Sequence, residues 1–272
     1  MVNKAYKDYI DVVIKGTQYS GNTEPGKCQL SASQVGSDIL PLWLEFKYGK
    51  QQNQNKIEAN TLGSILHRGL EKLFKEHSIL LEYPDSEQYR IEEPIQKEFT
   101  HKDLKHRWTI TGTLDLIDLK NKVIIDHKLS TGTTLKSIYK EGKDHHYAMQ
   151  LGIYKWLLGD KDYKCALAFF NKSQSYFKVK KEDLFTMVEL EVPGFEEIEK
   201  LLLNKLKELE VYINEDALEL GSTPPKCKNT FPYKMQGKVY NMKCLHYCDF
   251  KDKCTYFSSY QAEQEAITKF DF

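Results

Sequence analysis

Apolar residues recur along this chain with two different periods, and the switches between them lay out its elements. Over 61–77, TLGSILHRGLEKLFKEH, the residues Leu62, Ile65, Leu66, Leu70, Leu73 and Phe74 follow the helical period. Upstream, 31–48 (SASQVGSDILPLWLEFKY) opens with capping residues and carries a broad apolar stripe interrupted by Pro41. That pattern predicts two short helices or one kinked helix. Strands are predicted over 88–99, 107–119, 122–130 and 163–171, with a further one over 186–192. A helix is predicted around 144–158, and a long one over 194–214, Leu-rich on one face and charged on the other. Residues 1–27 are polar and mixed, 51–60 form a polar loop, and 222–256 read as loop. The chain has no internal repeat and no low-complexity linker.

The richest stretch is 110–130, ITGTLDLIDLKNKVIIDHKLS. A hairpin turning at Lys120-Asn121 pairs 119 with 122 and so on outward. Asp115 then stands opposite Asp126 on one face of the ladder. Lys128, two residues further on, points to the same face. Leu114, Leu116, Val123 and Ile125 make the other face apolar, and Ile117 and Ile124 add apolar side chains to the aspartate face. A hairpin apolar on both faces belongs inside a sheet, where facing carboxylates are destabilising. A divalent cation between them would remove the repulsion; a structural ion cluster is the alternative. Two carboxylates and an ammonium at one point suit metal-assisted hydrolysis of a phosphodiester.

Bulk properties narrow the class. The 272 residues suffice for one large domain, or a core with an appended module. Hydrophobic content of 40% and charged content of 29% describe a folded, not a disordered, chain. Lys+Arg and Asp+Glu each total 39, so a nucleic-acid partner would meet a local basic groove and not a uniformly cationic surface. No apolar run is long enough to span a membrane, and the N-terminus lacks a signal-peptide core. These features predict a cytoplasmic protein whose six cysteines are thiols or metal ligands, not disulfides.

The helices flanking the hairpin carry further candidates. His67 lies on or beside an apolar stripe, as a core histidine would. Gly63 one turn earlier allows close approach, and Glu71 one turn later shares its face. A neutral imidazole there could complete the shell that the aspartates begin. Gln150 and Tyr154, four apart, share one face of their helix and can both donate hydrogen bonds; alone they are ordinary residues.

Taken in order, Gly63-x3-His67-x2-Leu70-Glu71, Gly112-x2-Asp115, Asp126-His127-Lys128 and Gln150-x3-Tyr154 resemble the RecB-like branch of the PD-(D/E)XK nuclease superfamily. The segment 31–49 resembles that branch's N-terminal helical part. The resemblance covers roughly residues 30–160 and implies a restriction-endonuclease-like α/β core, a mixed central sheet flanked by helices. It implies an N-terminal helical segment over 1–60, the nuclease core over 61–215 and a metal-stapled, cysteine-rich tail over 216–272. By the same resemblance, His67, Asp115, Asp126 and the main-chain carbonyl of His127 would hold Mg2+ or Mn2+. Lys128 would position or deprotonate the attacking water and stabilise charge on the scissile phosphate. Gln150 and Tyr154 would hold the DNA strand and the site's geometry, with Glu71 and Glu98 as outlying carboxylates.

Four of the six cysteines fall in the tail: Cys227, Cys244, Cys248 and Cys254. Four thiolates can close a zinc site or hold a 4Fe-4S cluster; unligated thiols are the alternative. The resemblance extends to CRISPR-associated RecB-like and AddB-type exonucleases that carry an iron-sulfur cluster. In those, one cysteine precedes the His motif, which makes Cys28 a rival to Cys227 for the fourth position. The spacing Cys244-x3-Cys248 also departs from the usual C-x2-C. Cys165, in an apolar strand, reads as a core residue.

The expected activity is a metal-dependent DNA exonuclease on single strands or duplex ends, in recombination, repair or replication. A structure-specific endonuclease, an inert DNA-binding subunit of a larger nuclease complex, and a zinc-dependent interaction module are the competing readings. No P-loop is present, so strand separation would need a helicase or recombination partner. The compact size suits a phage-encoded or CRISPR-associated enzyme.

Overall fold

The computed structural model describes residues 24–51, 53, 61, 63–70, 72, 88–130, 132–171, 185–214, 222–228, 232–235, 238–241, 244 and 247–257. They fall into two compact units. One is built from 28–36 and 62–207, and the other from 1–27, 37–61 and 208–272.

The first unit holds the sheet. Its strands are β1 (Gln29–Ser31), β2 (Tyr89–Phe99), β3 (Trp108–Asp118), β4 (Val123–Ser130), β5 (Lys164–Asn171) and β6 (Phe185–Leu190). The order is β1-β3-β4-β5-β6, with β2 also on β3. Pairing is parallel for β1 with β3 and for β4 with β5, and antiparallel elsewhere. The β3–β4 pairs are Leu116↔Ile125, Ile117↔Ile124 and Asp118↔Val123, the register expected from a turn at Lys120-Asn121. Asp118 stabilises that turn by accepting from the Asn121 backbone N–H at 2.9 Å and from its side-chain amide at 2.7 Å. Leu114, Leu116, Ile117 and Ile124 are buried, as strands apolar on both faces require.

The way β3 is shared creates the site. β2 runs along one edge of β3, from Asp118 to Trp108. The other edge is therefore divided between β1, which takes 109–111, and β4, which takes 116–118. Residues 112–115 have no ladder partner on that side, so β3 and β4 diverge just where Asp115 and Asp126 stand.

A helix over 63–70, here α2, carries His67. After β4 come α3 (Gly132–Glu141), α4 (His146–Leu158) and, beyond β6, α5 (Phe195–Ile213), whose last residues belong to the other unit. α4 buries Ala148, Leu151, Ile153, Trp156 and Leu157, apolar nearly all round, as a central helix must be. A Cβ on Gly152 would lie 3.1 Å from Ile198 of α5 and 3.2 Å from Pro193, so the missing side chain permits this close packing. Ile198, Leu202 and Leu206 form the buried stripe of α5, and Trp156 Nε1 donates to Glu199 at 3.0 Å. Cys165 of β5 is a core residue, its thiol pushed up to about 12 by burial.

In the second unit, α1 (Ile39–Tyr48) comes next along the chain after a short 3-10 turn at Ala32–Gln34, which belongs to the first, so 31–48 forms two short helices with Pro41 in the first turn of α1. Trp43 Nε1 donates to the Tyr212 carbonyl at 3.0 Å. Asn53 is buried; its backbone N–H donates to Asp249 and its amide to the Cys248 carbonyl. The tail is less loop-like than its composition predicts, because β7 (Pro232–Met235) and β8 (Lys238–Asn241) form an antiparallel hairpin. α3 and β1 are likewise not expected from the pattern. No helix among the described residues is long and apolar enough to cross a membrane.

Candidate active site

The fork between β3 and β4 gathers the site residues of the first unit. Asp115 on β3 is buried, and its Oδ2 accepts the His127 backbone N–H at 2.7 Å, which bridges the opening ladder. His67 reaches in from α2. Its Nδ1 lies 3.5 Å from Asp115 Oδ1 and 3.5 Å from Glu92 Oε1, while its Nε2 is 3.2 Å from the His127 carbonyl oxygen. Lys128 Nζ pairs with Asp126 Oδ2 at 2.7 Å and sits 5.0 Å from the centre of the Tyr147 ring. Among the described residues, His67, Asp115 and His127 are the group whose ligand atoms come within 4.8 Å of one another. Asp126 stands next to that group with its carboxylate turned to Lys128.

Charge follows from this packing. Burial, and then the Asp126 charge, push the Asp115 carboxyl up to about 7. Burial and the nearby His67 bring the His127 imidazole down to about 4, so that ring is neutral. Glu92, helped by Asp115, raises the His67 imidazole above its ordinary value against the opposing effect of burial. Burial alone would lower the Lys128 ammonium, but the charge and hydrogen bond of Asp126, with the charge of Asp115, together outweigh it and hold the group above its ordinary value.

These residues fit a divalent cation. Asp126 Oδ2 is buried and, despite its ion pair, has no aligned hydrogen bond among the described residues. The repulsion expressed in Asp115 is what a bound cation would relieve. The 3.2 Å between His67 Nε2 and the His127 carbonyl also matches adjacent ligands of one ion, about 3 Å apart for bonds of about 2.1 Å.

Gln150 and Tyr154 are both buried on α4, and the Gln150 amide donates to the Tyr154 hydroxyl at 2.7 Å. The Tyr154 ring lies against Gly112 of β3, where a Cβ would come within 2.5 Å of it. The pair thus braces the unladdered stretch of β3 and is not open to solvent. Glu98 is a correction: it pairs with Arg107 at 3.3 Å on an exposed stretch of β2 and is not near the site. Glu71 lies outside the described residues. Glu92, Tyr147 and the His127 ring are contributors not anticipated from the sequence. An Asp across from a Glu on the preceding strand was the available signal for Glu92, but the connection over 100–107 is too long to set that register.

Cys227, Cys244, Cys248 and Cys254 all lie in the second unit, each half-buried and none in a disulfide.

A family model for the PD-(D/E)XK nuclease superfamily matches residues 78–255, a span that includes β3, β4 and α4. The chain belongs to that superfamily. Among solved structures it is similar to the crystal structure of SSO0001, at 19% identity and a TM-score of 0.53, over 91% of this chain and 96% of that one. That likeness is one of fold. An alkaline exonuclease (LHK-Exo) from Laribacter hongkongensis also matches, at 14% identity and a TM-score of 0.35, over 72% of this chain and 96% of that one. No curated protein sequence matches significantly.

Proposed function

We propose that this protein is a Mg2+- or Mn2+-dependent deoxyribonuclease, an exonuclease on single strands or duplex ends in recombination, repair or replication. The observation that carries the reading is the gathering of Asp115, 3.5 Å from His67 Nδ1, and the His127 carbonyl, 3.2 Å from His67 Nε2, around one histidine beside the Lys128–Asp126 pair. His67, Asp115, Asp126 and the His127 carbonyl would hold the cation, which supplies charge neutralisation at the phosphate and a more acidic water. Lys128, paired with Asp126 at 2.7 Å, would position or deprotonate the attacking water and stabilise negative charge growing on the scissile phosphate. Gln150 and Tyr154 hold β3 in place behind Asp115. The exposed face of α3, with Lys136, Tyr139 and Lys140, supports a nucleic-acid partner, since it offers cations and an aromatic ring beside the end of β4.

The chemistry is that of the RecB-like branch, and Cys227, Cys244, Cys248 and Cys254, with Cys28 as the alternative fourth ligand, are proposed to hold a 4Fe-4S cluster or Zn2+. The grouping of Cys227, Cys244, Cys248 and Cys254 in one unit without disulfides supports thiolate ligation by these four. Elemental analysis of anaerobically purified protein distinguishes iron from zinc, and neither metal in stoichiometric amount would end this part of the reading.

End-labelled single-stranded and duplex DNA, incubated with Mg2+ or Mn2+, tests the activity. Mononucleotides released progressively from an end are the expected product. Asp126→Asn and Lys128→Met should each lower the rate at least about a hundredfold. Discrete internal cuts would instead identify an endonuclease, and salt-sensitive binding with no cleavage an inert subunit.

A further inference from the structure

Glu92 stands out on β2. Its φ is 52°, a left-handed conformation that a side chain with Cβ rarely adopts. Its neighbours keep the β2–β3 register, Ile91↔Leu116 and Glu93↔Leu114, so Glu92 falls directly across from Asp115. Strain of this kind persists only where the surroundings impose it, and it gathers at functional sites. The carboxylate it delivers lies 3.5 Å from His67 Nδ1.

Asp115 lies at the same distance from that nitrogen. Its Oδ2 is already taken by the His127 N–H, so Oδ1 is the oxygen left for a cation. If Oδ1 also had to accept the His67 Nδ1–H, it would serve two masters. Glu92 gives that proton a second acceptor. We infer that Glu92 is a positioning residue for the cation site: it accepts the Nδ1–H of His67, which leaves Nε2 to the ion beside the His127 carbonyl and Asp115 Oδ1 free to join it. A carboxylate on the far nitrogen of a ligating histidine fixes tautomer and ring orientation together. The inference rests on reading the fork as a divalent-cation site and adds a residue to it.

Calorimetric titration of the full-length protein with Mn2+, without DNA, tests this on the parent, Glu92→Gly and Glu92→Gln. Glycine adopts this backbone conformation without steric strain, which offsets its greater loss of chain entropy, so Glu92→Gly should melt close to the parent's temperature while binding Mn2+ about 10- to 100-fold more weakly. Glu92→Gln, which keeps an acceptor but not the charge, should fall between the two. With Mg2+ bound, the 15N resonances of the His67 ring should report a protonated Nδ1 in the parent and a tautomer mixture in Glu92→Gly. A Glu92→Gly variant that binds Mn2+ within twofold of the parent overturns the role given to Glu92. A parent that binds no Mn2+ overturns the cation site and this inference with it. Weaker Mn2+ binding in the variants of a parent that cleaves no DNA would uphold Glu92 and sink the nuclease reading instead.

Discussion

At Asp115 the competing forces of the site meet in one side chain. Its folded pKa of about 7 lies well above its ordinary value of 3.8. Between those values the folded protein holds a proton on Asp115 that the unfolded chain has released, so the contribution of this carboxyl to stability falls as pH rises from about 4 to about 7 and levels off beyond, opposite in sign to the contributions of the His127 and His146 rings, which burial brings down to about 4. In chelator the parent's melting temperature should therefore fall relative to that of Asp115→Asn as pH rises through that range, and a constant difference would overturn this role of Asp115. The same proton must leave before a cation binds. Mn2+ affinity should therefore climb as pH rises towards about 7 and then plateau, with proton release visible as a binding enthalpy that depends on the buffer. At this scale Asp115, Asp126 and Lys128 were legible in the sequence, because a short turn sets the register of the strands it joins. Glu92 was not, since its strand is joined to β3 by a longer connection and nothing local marks a left-handed residue. The turn of Asp126 towards Lys128, away from the His67 group, was equally invisible.

Among the elements, β3 governs the geometry through an edge that β1 and β4 divide. Tyr154 of α4 fills the stretch between them by resting on Gly112. Gly112→Ala would drive a methyl into that ring, and the brace behind Asp115 would shift. A cost of about 1–3 kcal/mol is expected, typical of overpacking, seen as a lower urea midpoint with an unchanged slope. The helical and strand periods located α4, α5 and β2 to β6 because each buries a face with its own repeat. They missed α3, whose sequence GTTLKSIYKE is poor in strong helix formers, and β1, whose three residues are too few to show a period.

For the whole molecule, the question is what holds the second unit's tail. Between 222 and 256 the aliphatic side chains are few, Val239 and Leu245 with Met235 and Met242, so metal ligation by the cysteines would supply what a core does not. Stripping that metal should abolish hydrogen-exchange protection across 222–257 while amides of β3, β4 and β5 stay protected. Equal loss in both regions would show that the tail is not separately stapled. The spacing of the cysteines suggests the ligand set proposed above but says nothing of how the chain around them pairs, and the β7–β8 hairpin is one such pairing that composition hid.

By itself the sequence determined the order of the elements, the faces they bury and the register of the β3–β4 hairpin, since all of these follow from short-range periodicity and a tight turn. Only the tertiary structure decided that β3 would be left open at 112–115, that His67 would meet the His127 carbonyl there, and that Glu92 would be bent to meet His67. Those outcomes depend on segments distant along the chain competing for the same strand edge and the same few polar atoms, and no local pattern encodes the result of that competition.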